Sequence, residues 1–150
     1  MEALIATDGS HAAVVAAHQA VDLLPDGIDI HIVYVVAELE DPMEMAGGFE
    51  GPLITEEEAD AEHSAALKVG REALEATARA VAGRASIETI ESDDPGRAIC
   101  DLAASRGVDV LVVGGSDKGW FRRLVSGSVM EHVTHHAPCP VLVVRDRTEP

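Results

Sequence analysis

Positive charge is the scarcest feature of this 150-residue sequence. Lysine and arginine together number 11 against 27 aspartates and glutamates, so the formal net charge is −16. A surface this acidic disfavours nucleic acid and anionic membranes as partners, because like charges repel. Such self-repulsion is easier to tolerate where salt screens it. A salt-rich cytoplasm is therefore one hypothesis, and a generally acidic soluble protein is the other.

Long apolar runs and cysteine clusters are missing as well. No run of about eighteen apolar residues occurs, so no membrane span is predicted. Residues 1–8 lack the basic region of a signal peptide, which predicts a cytoplasmic location. Cys100 and Cys139 lie far apart in the sequence and in no metal-ligand spacing, so we interpret them as buried free thiols. The length predicts one domain, residues 1–150, with a substantial core.

Short apolar segments alternate with helical patterns along the chain. Thr55 with Glu58 fits a capping box, and Asp94 before Pro95 fits an N-cap. Residues 38–54 are predicted to form a long loop. The alternation predicts a single-domain α/β fold, Rossmann-like, with a five-stranded parallel sheet and helices on both faces. The predicted strands are 3–7, 28–36, 85–91, 108–113 and 141–144, and the predicted helices are about 12–24, 55–82, 95–107 and 128–136.

The most specific chemistry lies in residues 114–128, which read GGSDKGWFRRLVSGS. This stretch follows the apolar run 110–113 and returns to Gly-Ser at the start of a predicted helix. Glycine-rich turns and helix N-termini present backbone N–H groups that suit phosphate or another anion. Lys118, Arg122 and Arg123 reverse the sign of the local charge. The stretch therefore predicts nucleotide or anion binding.

Polar residues follow two strands at the edge of the sheet where parallel sheets bind ligands. Asp8 follows the first strand, and residues 114–117 follow the fourth. For Asp8 a structural alternative stands beside binding, as the N-cap or Asx-turn residue of the first helix. His132, His135 and His136 are interpreted as an exposed helix face. A metal site is not predicted, because the sequence has no HExxH motif and no third ligand at a recognised spacing. No nucleophile elbow or Walker motif occurs, so no catalytic residues are predicted.

Four segments together resemble the universal stress protein family. They are IATDGS, DDPGRAI, VVGGS and GSVMEHVTHHAPCPVLVVR. The resemblance extends from about Leu4 to Arg145. It implies a five-stranded fold of the adenine nucleotide alpha hydrolase-like type, and commonly a homodimer through the last strand. The residues of that implied dimer strand are Val141, Leu142, Val143 and Val144.

ATP-binding members of that family carry the motif G-x2-G-x9-G-(S/T), and this sequence reads G-x2-D-x9-G-S. Asp117 replaces the second glycine. It tolerates a left-handed backbone, but at about 5 Å its charge would repel a phosphate by roughly 1–3 kcal/mol at effective dielectrics of about 20–80. Nearby basic residues or a magnesium ion can offset that repulsion. The implied nucleotide-binding residues are Thr7, Asp8, Val35, Val113, Gly114, Ser116, Asp117, Gly127, Ser128 and Val129.

The leading hypothesis is a cytoplasmic stress-response regulator that binds ATP, with or without Mg²⁺, or a related adenine nucleotide. It would act as a dimeric sensor toward an unknown protein partner, and it would not be an enzyme. The alternative is a family member that has lost nucleotide binding and serves as a dimeric protein-interaction module, which Asp117 favours. A third reading, a weak ATPase or nucleotidyl transferase, lacks a recognisable base and nucleophile.

Overall fold

A computed structural model describes residues 1–38, 54–81, 85–115 and 129–145 of the chain. Strands and helices alternate along these ranges. The strands are β1 (Glu2–Ala6), β2 (Asp29–Val36), β3 (Ala85–Glu91), β4 (Val110–Gly115) and β5 (Val141–Arg145). The helices are α1 (His11–Val21), α2 (Glu56–Ala80), α3 (Pro95–Arg106) and α4 (Val129–His136).

The five strands form one parallel sheet in the order β3-β2-β1-β4-β5. β1 lies in the middle, where Ala6 pairs with Val33 of β2 on one side and with Val113 of β4 on the other. The predicted five-stranded parallel α/β fold is confirmed. In the described part of the chain, β3 and β5 are the edges of the sheet.

Helices cover both faces of the sheet because successive side chains of each strand point to opposite faces. Ile5 belongs to a buried cluster that includes Ala16 of α1 and Leu74 of α2. Its neighbour Leu4 belongs to a second cluster, which includes Ile99 of α3 and residues of α4. The nearly continuous apolar character of the central strands follows from burial on both sides.

Two helices begin at the caps that the sequence predicts. The backbone N–H of Thr55 donates to Glu58 Oε2 at 2.9 Å, and the backbone N–H of Glu58 donates to Thr55 Oγ1 at 3.2 Å. This reciprocal pair is the predicted capping box of α2. Asp94 caps α3 by accepting a hydrogen bond from the backbone N–H of Arg97 at 3.1 Å. Gly107 ends α3 in the left-handed conformation, with φ 63°.

Several predicted boundaries differ from the structure by one to three residues, and the shifts at α1 and β4 have identifiable causes. Helix α1 ends at Val21 instead of Leu24, because the chain tightens into a turn in which the backbone N–H of Leu23 donates to the carbonyl of Ala20, three residues back, at 3.0 Å. Strand β4 begins at residue 110 instead of 108. There the backbone N–H of Val108 is occupied by the carbonyl of Ala103 at 3.2 Å, which completes the end of α3. The predicted loop 38–54 lies almost wholly outside the described residues.

The cysteines are both free thiols, as predicted, but the predicted burial holds only for Cys100, since Cys139 is half-buried. Burial is the first cause that raises the pKa of each thiol above its ordinary value. The thiolate form is therefore disfavoured at both positions. Among the helices that the structure describes, none combines the length and the apolar character that crossing a membrane would require.

Candidate functional site

The order of the strands creates a switch point beside β1. From β1 the chain crosses to β2 on one side, whereas β4 lies on the other side. Connections that leave in opposite directions open a crevice at the carboxyl ends of the two strands, where ligands of such sheets bind. The loop between β1 and α1 lies at the end of β1, and Gly114 and Gly115 lie at the end of β4. Two of the predicted site segments therefore meet at one edge of the sheet.

Asp8 shapes the loop between β1 and α1. Its Oδ1 accepts a hydrogen bond from the backbone N–H of Ser10 at 2.9 Å, which is the geometry of an Asx-turn. The N-cap of α1 is Ser10, whose Oγ accepts from the backbone N–H of Ala13 at 3.1 Å. Of the two structural roles predicted for Asp8, the Asx-turn is confirmed and the N-cap is wrong. The turn holds a half-buried carboxylate at the mouth of the crevice.

Thr7 ties the same loop to α2 through a buried hydrogen bond. Its Oγ1 lies 2.9 Å from Oγ1 of Thr77, and the two residues are only 2% and 0% exposed. Thr77 donates its own hydroxyl proton to the carbonyl of Ala73 at 2.8 Å, so the proton between the two threonines comes from Thr7. Thr7 Oγ1 in turn accepts from the backbone N–H of Gly9 at 3.1 Å. The loop backbone, β1 and α2 are thus joined by one directed chain of hydrogen bonds.

Sequence reasoning did not identify Thr77. A signal was nevertheless present, because α2 has a stripe of buried residues at helical spacing. A hydroxyl within such a stripe must find a partner in the protein, since water does not reach it. The residues of that stripe are Gly70, Ala73, Leu74 and Thr77.

Gly9 brings the loop into direct contact with α2. It has φ +73°, a conformation that L side chains rarely adopt. A Cβ atom at this position would lie 2.4 Å from Cβ of Ala73, far inside van der Waals contact. Only glycine therefore allows the residue after Asp8 to pass this close to the helix.

Tyr34 is the aromatic side chain of β2 that faces α2. It packs so closely on the helix that a Cβ atom at Gly70 would lie 2.8 Å from its ring. Burial first, and the charge of Asp8 second, raise the pKa of Tyr34 above its ordinary value. The phenol is thus sensitive to the carboxylate of the site.

Gly114 has a packing role of its own. A Cβ atom at this position would lie 3.2 Å from Cβ of Ala16 and 3.3 Å from Cα of Ala13, both on α1. Such contacts are tighter than ordinary van der Waals separation, so the glycine lets α1 pass close over the end of β4. The same lack of a side chain would let a ligand approach the backbone, and the packing role does not compete with that use.

The three predicted valines of the site lie together in the core. Val35, Val113 and Val129 are all buried in the cluster on the α3 and α4 face. Val35 thus has the core role that its β-branched strand pattern suggests. Val129, at the start of α4, brings the beginning of that helix against the end of β4, near the crevice.

The predicted phosphate side of the site, including Ser116, Asp117, Gly127 and Ser128, lies outside the described residues. What the structure adds is the position of its two anchors. Strand β4 leads into the segment at Gly115, and α4 leaves it at Val129.

Two of the three histidines of α4 lie on an exposed helix surface. His132 and His136 stack with ring centroids 4.3 Å apart, and Nδ1 of His136 lies 2.9 Å from the carbonyl oxygen of His132. His135 and His136 are exposed near the end of the helix as predicted, whereas His132 is half-buried because it packs against Gly96 of α3. Across the ranges that the structure describes, no group of three or more histidine, cysteine, aspartate or glutamate side chains is arranged to hold a metal ion.

Comparison with known proteins decides the family. The sequence pattern of the universal stress protein family matches residues 1–145. The chain belongs to the universal stress protein family. A universal stress protein of Methanocaldococcus jannaschii is 29% identical over 143 residues, which are 95% of this chain and 80% of that protein. A Staphylococcus haemolyticus protein, named as a candidate universal stress protein, is 45% identical over 49 residues, only 33% of this chain and 30% of its own length.

Solved structures of universal stress proteins share the fold. One from Burkholderia pseudomallei matches with a TM-score of 0.68 and 25% identity, covering 95% of this chain and 94% of that chain. An Arabidopsis thaliana family member solved with AMP bound has a TM-score of 0.65 and 15% identity, covering 99% and 93% of the two chains. A universal stress protein in complex with cAMP has a TM-score of 0.60 and 22% identity, covering 96% and 95%. The predicted family is therefore confirmed.

Proposed function

We propose that this universal stress protein binds an adenine nucleotide, ATP in the first instance, in the crevice between β1 and β4. The observation that carries the proposal is the meeting of the Asp8 loop and the Gly114 end of β4 at the switch point of the sheet. This is where parallel α/β sheets bind ligands. The AMP and cAMP complexes of proteins with this fold support the choice of an adenine nucleotide.

The Asp8 loop would hold the nucleoside part of the ligand. A carboxylate accepts hydrogen bonds from ribose hydroxyls or from an exocyclic amine. The Asx-turn and the Thr7–Thr77 link keep this loop in one conformation, so little ordering entropy would be lost on binding. Thr7 would affect nucleotide binding only by positioning the loop, since its own hydroxyl is hydrogen-bonded within the protein to Thr77 and Gly9.

The segment between β4 and α4 would bind the phosphates. Gly127 and Ser128 precede α4, and a helix N-terminus with its backbone N–H groups suits an anion. Lys118, Arg122 and Arg123 would supply positive charge, alone or together with Mg²⁺, against the repulsion from Asp117. The protein would act as a cytoplasmic homodimer paired through β5. Nucleotide binding, without turnover, would be the event that it signals.

Retained nucleotide is the direct test. The purified protein is denatured gently, and the released small molecules are identified by mass spectrometry. Calorimetry with ATP then compares the native chain with Asp8→Asn and Gly127→Val, and with Asp26→Asn as a matched control. Asp26 is an exposed aspartate in the connection that precedes β2. It therefore lies at the amino ends of the strands, opposite the crevice at their carboxyl ends. We expect weaker binding in the first two variants and unchanged binding in the third.

The alternative is a dimeric interaction module that binds no nucleotide, and the aspartate at position 117 favours it. It predicts that no nucleotide is released and that ATP gives no heat of binding to the folded native chain. That result would overturn the nucleotide proposal and leave the fold and the family unaffected.

A further inference from the structure

A second polar cluster lies near the amino ends of the strands, away from the crevice. His31 of β2 is only 4% exposed and pairs in register with Ser86 of the edge strand β3. Its Nδ1 lies 2.5 Å from Oγ of Ser86, and its Nε2 lies 2.8 Å from Oε2 of Glu88. Ser86 and Glu88 are two residues apart on β3, so both side chains project on the face of the sheet that carries His31.

When the ring of His31 is neutral, its two partners fix the direction of each hydrogen bond. An ionised carboxylate can only accept, so the neutral ring donates from Nε2 to Glu88. Nδ1 is then the unprotonated nitrogen and must accept the hydroxyl proton of Ser86. Serine, base and orienting carboxylate are thus connected in the order used by hydrolytic triads, with the roles of the two ring nitrogens exchanged.

We propose that Ser86 is an activated nucleophile that accepts an acyl group from small activated esters. The Ser86 hydroxyl proton passes to Nδ1 of His31 as Oγ bonds to the carbonyl carbon of the ester. The bond from that carbon to the leaving oxygen breaks, and its electron pair departs with the oxygen, which takes up the proton. The products are an acyl ester on Ser86 and a free alcohol, and Glu88 stabilises the imidazolium that forms between the two transfers.

The surroundings of Ser86 admit a small reactant. Ser86 is an exposed residue while its base is buried, so a reactant can approach the serine from solvent and the imidazole is held in place. A cavity of about 450 Å³ opens beside it, lined in part by Ile30 and Ala85. Arg106 and Glu2 also line the cavity and pair with each other, with Arg106 Nε donating to Glu2 Oε1 at 2.6 Å, and Asp29 adds a further carboxylate that disfavours an anionic reactant. An uncharged acyl group of few atoms suits such a space.

Acetylation by p-nitrophenyl acetate tests the proposal on the full chain. The acetyl group is located by mass spectrometry of peptides, and the initial rate is followed by release of nitrophenolate. Ser86→Ala should remove the adduct. Ser105→Ala is the matched control, because Ser105 is exposed and its hydroxyl donates only to the carbonyl of Leu102, at 3.0 Å. His31→Gln should slow acetylation of Ser86 by about 100-fold, the lower range of general-base assistance.

The proposal stands apart from nucleotide binding and can fail alone. Acetyl groups found elsewhere but not on Ser86 would overturn it. Equal rates of Ser86 acetylation in the native chain and in His31→Gln would show that His31 does not activate Ser86. Should His31→Gln not fold, Glu88→Gln decides, because its side chain is 39% exposed and its loss should leave the fold intact. A slower rate in Glu88→Gln supports the relay, and an unchanged rate refutes it.

Discussion

Thr77→Val removes the hydroxyl that links α2 to the loop between β1 and α1, while it keeps the volume and branching of the side chain. Thr77 Oγ1 accepts the proton of Thr7 across 2.9 Å in the native chain, in a region without solvent. The variant leaves that proton without an acceptor. Because an unpaired buried polar group costs about 1–3 kcal/mol, we expect the free energy of unfolding to fall by that amount.

The double variant Thr7→Val/Thr77→Val separates the hydrogen bond from the packing. Replacing both partners by apolar groups of similar shape is close to neutral. The backbone N–H of Gly9 also loses its acceptor, but Gly9 is half-buried, so water can replace it. The double variant should therefore be less destabilised than the sum of the single variants, by roughly 0.5–3 kcal/mol.

Urea unfolding of the native chain, Thr7→Val, Thr77→Val and the double variant provides the measurement. The midpoints can be compared if the slope of the unfolding free energy against urea concentration is the same in all four. Thr134→Val is the control, because Thr134 Oγ1 donates to a helical carbonyl, that of Glu131 at 3.0 Å, but is exposed. Its effect should stay within about 0.5 kcal/mol. Effects of Thr7→Val and Thr77→Val that add to within about 0.5 kcal/mol would refute the coupling.

Three further predictions concern charge and assembly. Burial and then Asp8 raise the pKa of Tyr34, so the stability that this proton provides is present below about pH 10 and is lost as pH rises through the folded pKa. Asp8→Asn should lower that pKa, which tyrosinate absorbance of the single tyrosine reports; an unchanged titration would contradict the contact. Asp117→Gly should tighten ATP binding about tenfold, or about 1.4 kcal/mol, and weaker binding in calorimetry would mean that the carboxylate helps, for example through Mg²⁺. Val143→Lys should dissociate the proposed dimer in light scattering, whereas a native chain that is monomeric at micromolar concentration would rule the dimer out.

The fold could be predicted because its determinants are local. Runs of β-branched residues, the capping box at Thr55 and the N-cap at Asp94 each act within a few residues of the chain. The errors are also local. The end of α1 and the start of β4 depend on which carbonyl receives one backbone N–H, and propensity does not distinguish such alternatives.

The contacts that build the two sites could not be predicted in the same way. Thr7 and Thr77 lie 70 positions apart, and His31 and Ser86 lie 55 apart. Both pairs depend on how α2 and β3 dock on the sheet. A shift of β3 by one residue would turn Ser86 to the other face, so the His31 contact depends on register and not on motif. Single histidines and serines scattered in a sequence carry no mark of that register.

The acidity of the chain and an anionic ligand are compatible, because electrostatic interactions in salt are local. At physiological ionic strength the screening length is about 8 Å, so exposed carboxylates farther than this from the crevice contribute little there. For the proposed nucleotide, the charges that matter would be those within that distance of its phosphates. In the motif segment the sequence offers Lys118, Arg122 and Arg123 against Asp117, and the proposed site adds the backbone N–H groups at the start of α4. The net charge of −16 therefore argues against long-range attraction of a nucleotide, while affinity is decided by the few groups that close around it.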